Sequence, residues 1–249
     1  MFIARVDGPT LLGEYSLAQA YAGPAFFLGS LSLRPQYLVL QPSLSLFSDF
    51  LFLRLVFPAV VFTSLLVFIY FNYKSHTFFL IATAIFAMKY VEGFFDLASG
   101  KMQREGDVTG VATTNMTRCL VSIIGFGDIY LTTCNLPVAL FFLPALWIAF
   151  FVMQRKRFNI TVRLRDILTV ENFEHRVALA VRFFPFTVSL IVNSLALNAP
   201  RFILDSVVGP KELGFFSAIS HFLTIGARAT GSVAQMTLPS LAGDMEQTG

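Results

Sequence analysis

Charge is scarce in this chain. Only 13% of its 249 residues are Asp, Glu, Lys or Arg, whereas 55% are hydrophobic. A soluble domain of this length cannot bury so large an apolar fraction, so the composition excludes an ordinary soluble protein. The net charge of +3 comes from basic residues that flank apolar runs, which does not indicate nucleic-acid binding. We therefore expect a polytopic membrane protein with no nucleic-acid partner.

Cysteine and histidine are almost absent. Cys119 and Cys134 lie at opposite ends of one predicted helix. At 1.5 Å per residue they are about 22 Å apart, which is too far for a disulfide. The three histidines, His76, His175 and His221, share no spacing typical of metal ligands. The sequence therefore predicts neither a disulfide between these cysteines nor a metal site.

Motifs of enzymes are lacking as well. The sequence has no glycine-rich phosphate-binding loop, no HExxH motif and no paired-carboxylate loop motif. Most connections between its apolar runs are too short to hold a catalytic site. We therefore expect a protein that is not an enzyme and has no cofactor.

What the sequence does contain is a series of long apolar runs. Crossing a bilayer takes ~20 apolar residues. We predict an all-α fold with about seven transmembrane helices, at 12–33, 51–72, 77–98, 117–134, 136–153, 182–207 and 213–238.

The basic residues between these runs and at their ends indicate the orientation. Eleven fall on one side of the predicted membrane and three on the other, and the richer side is cytoplasmic by the positive-inside rule. The cytoplasmic set is Arg34, Lys101, Arg104, Arg118, Arg155, Lys156, Arg157, Arg163, Arg165, Arg176 and Arg182, and the external set is Arg5, Lys74 and Lys211. The loops at 99–116 and 154–177 are therefore expected in the cytoplasm.

A short motif occurs twice. Segments 8–16 (GPTLLGEYS) and 209–217 (GPKELGFFS) share five identities at one offset of 201 positions, since 209 − 8 = 201. Weak internal symmetry between halves of about six helices is typical of secondary transporters. The repeat predicts an N-terminal transmembrane lobe at 1–153, a cytoplasmic amphipathic linker at 154–181 and the start of a second lobe at 182–249.

The repeat also predicts that helices are missing. A helix at 182–207 precedes the second copy of the motif, but only seven residues precede the first copy. We therefore expect a fragment, with a first lobe that lacks its first helix and a second lobe that holds only its first two. The two lobes are expected to be related by an axis along the membrane normal.

Four polar residues share one face of a predicted span. Lys89, Glu92, Asp96 and Ser99 are spaced by three, four and three positions. One interpretation is that Lys89 and Glu92 neutralise each other at i, i+3. The other is that the four residues form a polar stripe that lines an aqueous cavity.

Further charges lie within the predicted spans. Asp128 is a lone carboxylate that either has a function of its own or pairs with Lys89. Arg201 stands four residues before Asp205, so it either bridges to that carboxylate or points into a central cavity. Arg228 lies about sixteen residues into the last predicted span and is a candidate for the same cavity.

Three stretches of the sequence resemble a transporter family. They are GPTLLGEYSLAQAYAGP at 8–24, KYVEGFFDLASGKMQRE at 89–105 and NSLALNAPRFILDSVVGPKELGFFSAIS at 193–220. Together they are similar to the Wzx-type oligosaccharide flippases. These form the polysaccharide-transporter branch of the multidrug/oligosaccharidyl-lipid/polysaccharide exporter superfamily. The likeness covers most of the chain.

The resemblance implies a fold, a substrate and a location. Its members have two six-helix lobes around a cavity that opens alternately to each side of the bacterial cytoplasmic (inner) membrane. They move polyprenyl-diphosphate-linked oligosaccharide to the outer leaflet for surface polysaccharides such as the O-antigen of lipopolysaccharide. The substrate candidates are Arg201, Arg228 and Lys89. The candidates for a coupling cation, proton or sodium, are Asp128, Glu92, Asp96 and Asp205.

Three alternatives stay open. A multidrug or other lipid exporter of the same superfamily would line its cavity with carboxylates and aromatic residues and few arginines. A membrane enzyme of polysaccharide assembly would need a large external loop or a catalytic motif. An inactive fragment is consistent with the missing helices.

Overall fold

The computed structural model describes residues 7–39, 47–154, 158 and 173–222. Helices account for 92% of these residues, and no strand occurs among them, which confirms the all-α prediction. The helices are α1 Gly8–Ser30, α2 Leu33–Val39, α3 Phe47–Asn72, α4 His76–Arg104, α5 Val108–Thr133, α6 Leu136–Met153 and α7 Phe173–Val207, followed by α8 at 210–222.

By length and composition, four of the described helices are able to cross a membrane: α3, α4, α6 and α7. The chain therefore has the character of a helical membrane protein. Helices α1 and α5 also lie at predicted spans, but they are not among these four. The number of about seven spans stays a prediction.

Consecutive helices are joined by short connections with N-capping side chains. Ser75, Asp107 and Asn135 precede α4, α5 and α6, and each side chain accepts a hydrogen bond from the backbone N–H three residues on. The bonds are 3.1, 2.8 and 3.2 Å long. Such caps satisfy backbone donors at helix N-termini. The short connections make α3 to α6 successive antiparallel neighbours.

The extent of the predicted loop at 99–116 was wrong. Helix α4 continues to Arg104 and α5 begins at Val108, so only three residues separate them. Lys101 and Arg104 lie in the last turn of α4, where positive charge is favourable beside the negative end of the helix dipole. As a result Arg118, which the sequence placed at the cytoplasmic end of the predicted span 117–134, lies ten residues inside α5.

Helix α7 begins earlier than predicted. It starts at Phe173 and not at 182, so the last part of the predicted linker belongs to it. Its first turns bury Arg176, Leu179, Ala180 and Phe183 at helical spacing, which supplies the packing that a helix needs there. The rest of the linker, apart from 154 and 158, and Arg228 lie outside the described residues.

Two apolar clusters hold α4 in place. One joins it to α2, α3 and α7 through residues that include Tyr37, Phe50, Leu97 and Phe183. The other lies between α4, α5 and α6 and includes Phe95 and Trp147, with Phe158 packed beside them. Because both clusters are buried, the direction in which the polar stripe of α4 points is fixed.

The chain forms two compact units, 17–203 and the pair of segments 1–16 and 204–249. Their boundaries fall inside α1 and α7. They do not follow the predicted lobes at 1–153 and 182–249, which stay a prediction.

Candidate functional site

Arg54 is the most deeply buried charge beside the polar stripe. It interrupts the apolar run FLFLRLVF of α3, and its side chain is only 1% exposed. Its Nε donates to the carbonyl of Gly93 at 2.6 Å, and its Nη2 donates to Asp96 Oδ2 at 3.2 Å. Gly93 permits this approach, since a Cβ there would lie 2.7 Å from Nε. A buried guanidinium is tolerated only with such acceptors, so Arg54 is the fixed partner of Asp96.

Asp96 is also bound by a second arginine. Arg34 of α2 donates through Nη1 to Asp96 Oδ1 and through Nη2 to Gln103 Oε1, both at 3.1 Å. Arg104 of α4 also contacts α2, because it donates a hydrogen bond to the Tyr37 carbonyl at 3.0 Å and lies 4.7 Å over the Tyr37 ring. Burial raises the pKa of the Tyr37 hydroxyl above its ordinary value, although the charge of Arg104 acts in the opposite direction. The short helix α2 is thereby fixed to the last turns of α4.

The first two residues of the polar stripe, Lys89 and Glu92, neutralise each other. Lys89 Nζ donates to Glu92 Oε2 at 2.7 Å, the i, i+3 pair that the spacing allowed. Lys89 also lies 5.4 Å from the ring of Phe26, and Arg54 lies 5.3 Å from the same ring. The aromatic face therefore lies between two cations, a favourable placement for both.

A polar cavity of about 230 Å³ lies beside three of the four stripe residues, and Lys89 is not among those that line it. Glu92, Asp96 and Ser99 form its α4 wall. The remaining lining residues come from α1, α2 and α5, and they are Phe26, Arg34, Asn115 and Arg118. The cavity thus lies inside the unit 17–203.

Arg118 has a different environment from the other cations. Its guanidinium lies 4.8 Å over the ring of Trp147 and 5.0 Å over that of Phe95. The indole is held in turn, because Trp147 Nε1 donates to Ser122 Oγ at 2.6 Å. Within the described part of the chain, the Arg118 guanidinium makes no hydrogen bond or ion pair. It therefore lines the cavity with its N–H donors unused.

Positive charge exceeds negative charge around the cavity. Four cationic side chains and two carboxylates lie in or beside its wall, an excess of two. The cations are Arg34, Arg54, Lys89 and Arg118, and the carboxylates are Glu92 and Asp96. Such an excess in a partly enclosed site suits an anionic group.

Arg201 is hydrogen-bonded to another residue of its own helix, α7. Its Nη1 donates to Asn198 Oδ1 at 2.6 Å, and the Asn198 amide donates to the Ser194 carbonyl at 2.8 Å. Asn198 and Ser194 both pack on Gly23 of α1, where a Cβ would lie 3.0 Å from Ser194 Oγ. The Asn198 side-chain oxygen is thus the acceptor that the structure gives to Arg201.

The structure brings only some of the predicted site residues together. Lys89, Glu92 and Asp96 are neighbours at the cavity. Asp128 is exposed on α5, and the ion pair that Lys89 makes is with Glu92. Arg228 lies outside the described residues.

An apolar groove of about 750 Å³ lies elsewhere in the same unit, between α1, α3 and α7. Aromatic rings line it, with Tyr21 packed 4.9 Å from Phe202 and 6.3 Å from Phe68, measured between centroids. The hydroxyl of Tyr21 shares a hydrogen bond of 2.9 Å with that of Tyr73, and Ser64 donates to its own helix. These polar groups are satisfied within the protein, so the groove suits hydrocarbon.

The two copies of the repeated motif have the same local structure. Gly8 and Gly209 have φ angles of 87° and 94°, in the left-handed region that favours glycine. Each is followed by a helix that buries the equivalent leucine, glycine and serine. These positions are Leu12, Gly13 and Ser16 in the first copy and Leu213, Gly214 and Ser217 in the second.

The two copies also contact each other reciprocally. A Cβ at Gly13 would overlap the carbonyl oxygen of Pro210, and a Cβ at Gly214 would overlap that of Pro9. Ser217 Oγ donates to Ser16 Oγ at 2.6 Å, and both side chains are buried. In a contact with two-fold symmetry, each residue touches the equivalent of the residue that touches its own counterpart, as these residues do. The offset of 201 found in the sequence is therefore also the offset of this contact.

Sequence reasoning missed a buried ion pair in the same unit as the cavity. Arg176 Nε donates to Asp49 Oδ1 at 2.8 Å, and both side chains are 2% exposed. The guanidinium also lies 4.3 Å from the ring of Phe52. The two partners are 127 positions apart, and no local pattern connects them.

Reasoning from sequence also missed Arg34, Arg54 and Arg118 as residues of the site. Arg54 had a usable signal, since an arginine within an apolar run needs a partner at membrane depth. Arg34 and Arg118 had been used only to count positive charge on the cytoplasmic side, and that use concealed their part in the site.

Among the described residues, no group of three or more His, Cys, Asp or Glu side chains is placed to hold a metal ion. Comparison of the chain with protein-family models, with curated proteins and with solved structures found no match.

Proposed function

We propose that this chain belongs to a flippase that moves polyprenyl-diphosphate-linked oligosaccharide from the cytoplasmic to the outer leaflet of a bacterial cytoplasmic membrane. The observation that carries the proposal is the reciprocal contact of the two GPxxLGxxS copies, at 8–16 and 209–217. Secondary transporters are built from such repeats, and one repeat moves against the other during alternating access. A contact made by equivalent residues of both repeats is well placed to open and close on one side.

The polar cavity supports an anionic substrate. Its excess of two positive charges surrounds the part of α4 with the sequence KYVEGFFDLASGKMQRE, which carries part of the resemblance to the flippases. Glu92 and Asp96 are each held by a cation. Among the described candidates, this leaves Asp128 and Asp205 for a coupling proton or sodium ion.

The proposal is tested in lipid vesicles reconstituted with the protein that contains this chain. A fluorescent polyprenyl-diphosphate oligosaccharide is placed in both leaflets, and a membrane-impermeant quencher reports how fast the inner pool reaches the outside. We expect a protein-dependent rate that Gly214→Val reduces, because the side chain prevents the repeat contact from closing. Gly127→Val is the matched control, since its surroundings leave open space for a side chain. A rate equal to that of protein-free vesicles would exclude the flippase.

A second candidate function is export of apolar drugs by a transporter of the same superfamily. The groove between α1, α3 and α7 favours it, because aromatic rings such as Tyr21, Phe68 and Phe202 suit flat apolar molecules. The same vesicles distinguish the two functions when they are loaded with a cationic dye. Dye export without movement of the lipid-linked oligosaccharide would favour the drug exporter.

A further inference from the structure

We propose that the cavity between α2, α4 and α5 binds a small oxyanion of the phosphate type. This deepens the proposed function and rests on it for the use of this cavity by an anionic group, but it names the ligand as a single oxyanion group bound inside one unit, 17–203. The group has two possible sources, a free phosphate ion or the phosphate of a membrane lipid. Its test measures binding and does not depend on transport.

The charges of the cavity wall show which cations are available to a ligand. Arg54 is tied to Gly93 and Asp96 and is almost fully buried, so it neutralises Asp96 permanently. Lys89 neutralises Glu92. The two remaining cations are Arg34 and Arg118, and both line the cavity. An oxyanion between them would meet carboxylates that already have partners.

The donors are suited to a phosphate group. The guanidinium of Arg118 lies near the rings of Trp147 and Phe95, and its planar fork is able to donate two parallel hydrogen bonds to one oxyanion. The Ser99 hydroxyl and the Asn115 amide line the same cavity and add neutral donors.

Size and access limit the ligand to a small group. One water occupies about 30 Å³ of liquid, so a cavity of about 230 Å³ holds an oxyanion with a few waters but not a sugar chain. The side chain of Arg34 is 31% exposed, which connects the cavity to the surface of the unit. Because Arg34 is shared with Asp96, a bound oxyanion would compete with that carboxylate for it.

The test is the thermal unfolding of the purified protein in neutral detergent. Sodium phosphate is titrated against sodium chloride at matched ionic strength. A ligand that binds only the folded state raises the midpoint in proportion to the logarithm of its concentration above Kd. We expect a phosphate-specific rise of a few degrees, lost in Arg118→Gln and shifted to at least tenfold higher phosphate in Arg34→Gln.

Two further variants keep the result interpretable. Arg182→Gln removes an exposed arginine of α7 and is expected to respond to phosphate as the parent does. Arg118→Lys retains the charge but loses the fork, and we expect its phosphate response to move at least tenfold. If Arg118→Gln does not fold, the phosphate response of Arg118→Lys tests the role of Arg118. An equal phosphate response in the parent, Arg118→Gln and Arg118→Lys would overturn the proposal.

The source of the oxyanion is resolved in bilayer discs of stated lipid. If a lipid phosphate fills the cavity, phosphatidylglycerol raises the midpoint relative to phosphatidylcholine and removes the response to free phosphate, and Arg118→Gln abolishes this lipid effect. If the free ion is the ligand, phosphate acts equally in both discs. The absence of both effects in the parent would contradict the proposal.

Discussion

Two arginines of the same unit, Arg176 and Arg118, have opposite surroundings. Both guanidiniums lie on aromatic rings, Arg176 at 4.3 Å from Phe52 and Arg118 at 4.8 Å from Trp147. Arg176 donates to Asp49 at 2.8 Å, and that pair is closed off from solvent. Within the described residues Arg118 has no such acceptor, and it lines a polar cavity.

The difference teaches which charges stabilise the fold and which are available for binding. A buried ion pair is self-contained, because each charge satisfies the other and removing one leaves an uncompensated charge. A cation without a protein acceptor at a cavity keeps its donors for a ligand, as intramembrane charges at functional sites do. Burial alone does not separate the two classes, but the presence of an acceptor does.

The largest expected effect is at the closed pair. Arg176→Met leaves Asp49 buried without a partner, so we expect a loss of about 3–5 kcal/mol in the free energy of unfolding. The double variant Asp49→Asn with Arg176→Met is expected to recover much of that loss. Unfolding in detergent measures both, with Arg182→Met as the exposed control on the same helix. A single variant as stable as its control would contradict a structural role.

Arg54 tests the comparison at a charge that borders the cavity but is buried. Arg54→Met removes the donors to Gly93 and Asp96, while Asp96 keeps Arg34. We therefore expect a smaller loss than at Arg176, about 3 kcal/mol, measured in the same way. If Arg54→Met cost less than the matched substitution of Arg34, the assignment of Arg54 as the fixed partner would be wrong.

The contact between the two copies of the repeated motif involves no charge, so its contribution to stability is compared with those of the buried arginines. Gly13→Ala and Gly214→Ala each place a methyl group against a proline carbonyl, so we expect losses of about 1–3 kcal/mol of similar size. Gly127→Ala has open space, and it should be neutral or stabilising by up to about 1 kcal/mol. Thermal unfolding of the three variants compares them directly. Unequal losses at Gly13 and Gly214 would argue against a reciprocal contact.

The smallest effect is expected at the partly exposed pair of the stripe. Lys89 and Glu92 are 23% and 29% exposed and lie at i, i+3 on one helix. Pairs of this kind contribute about 0.2–0.5 kcal/mol, so Lys89→Met should change stability by no more than this. A loss comparable to that of Arg176→Met would mean that exposure does not distinguish the pairs.

Local patterns in the sequence were enough to predict many features of this molecule. The helices, the stripe of Glu92, Asp96 and Ser99 and the two copies of GPxxLGxxS follow from periodicity and repetition, which act over a few residues. Helix ends were less predictable, since capping at Asp107 and the burial of Arg176 decided them.

Contacts between distant residues could not be predicted in this way. Arg54 and Gly93 are 39 positions apart, and Asp49 and Arg176 are 127 apart. Their pairing depends on which helices pack together, and a single sequence does not specify that. The same reason concealed Arg118, because its aromatic neighbour Trp147 lies on another helix.

The most direct test of the distinction between closed and available arginines is chemical labelling of the folded protein with an arginine-selective dicarbonyl reagent. Residue-resolved mass spectrometry follows Arg118, Arg176 and the exposed control Arg182 in one sample. We predict that Arg182 reacts fastest, that Arg118 reacts measurably and is protected by phosphate, and that Arg176 stays unmodified until the protein unfolds. Labelling of Arg176 at the rate of Arg118, or labelling of Arg118 that phosphate does not slow, would contradict the account.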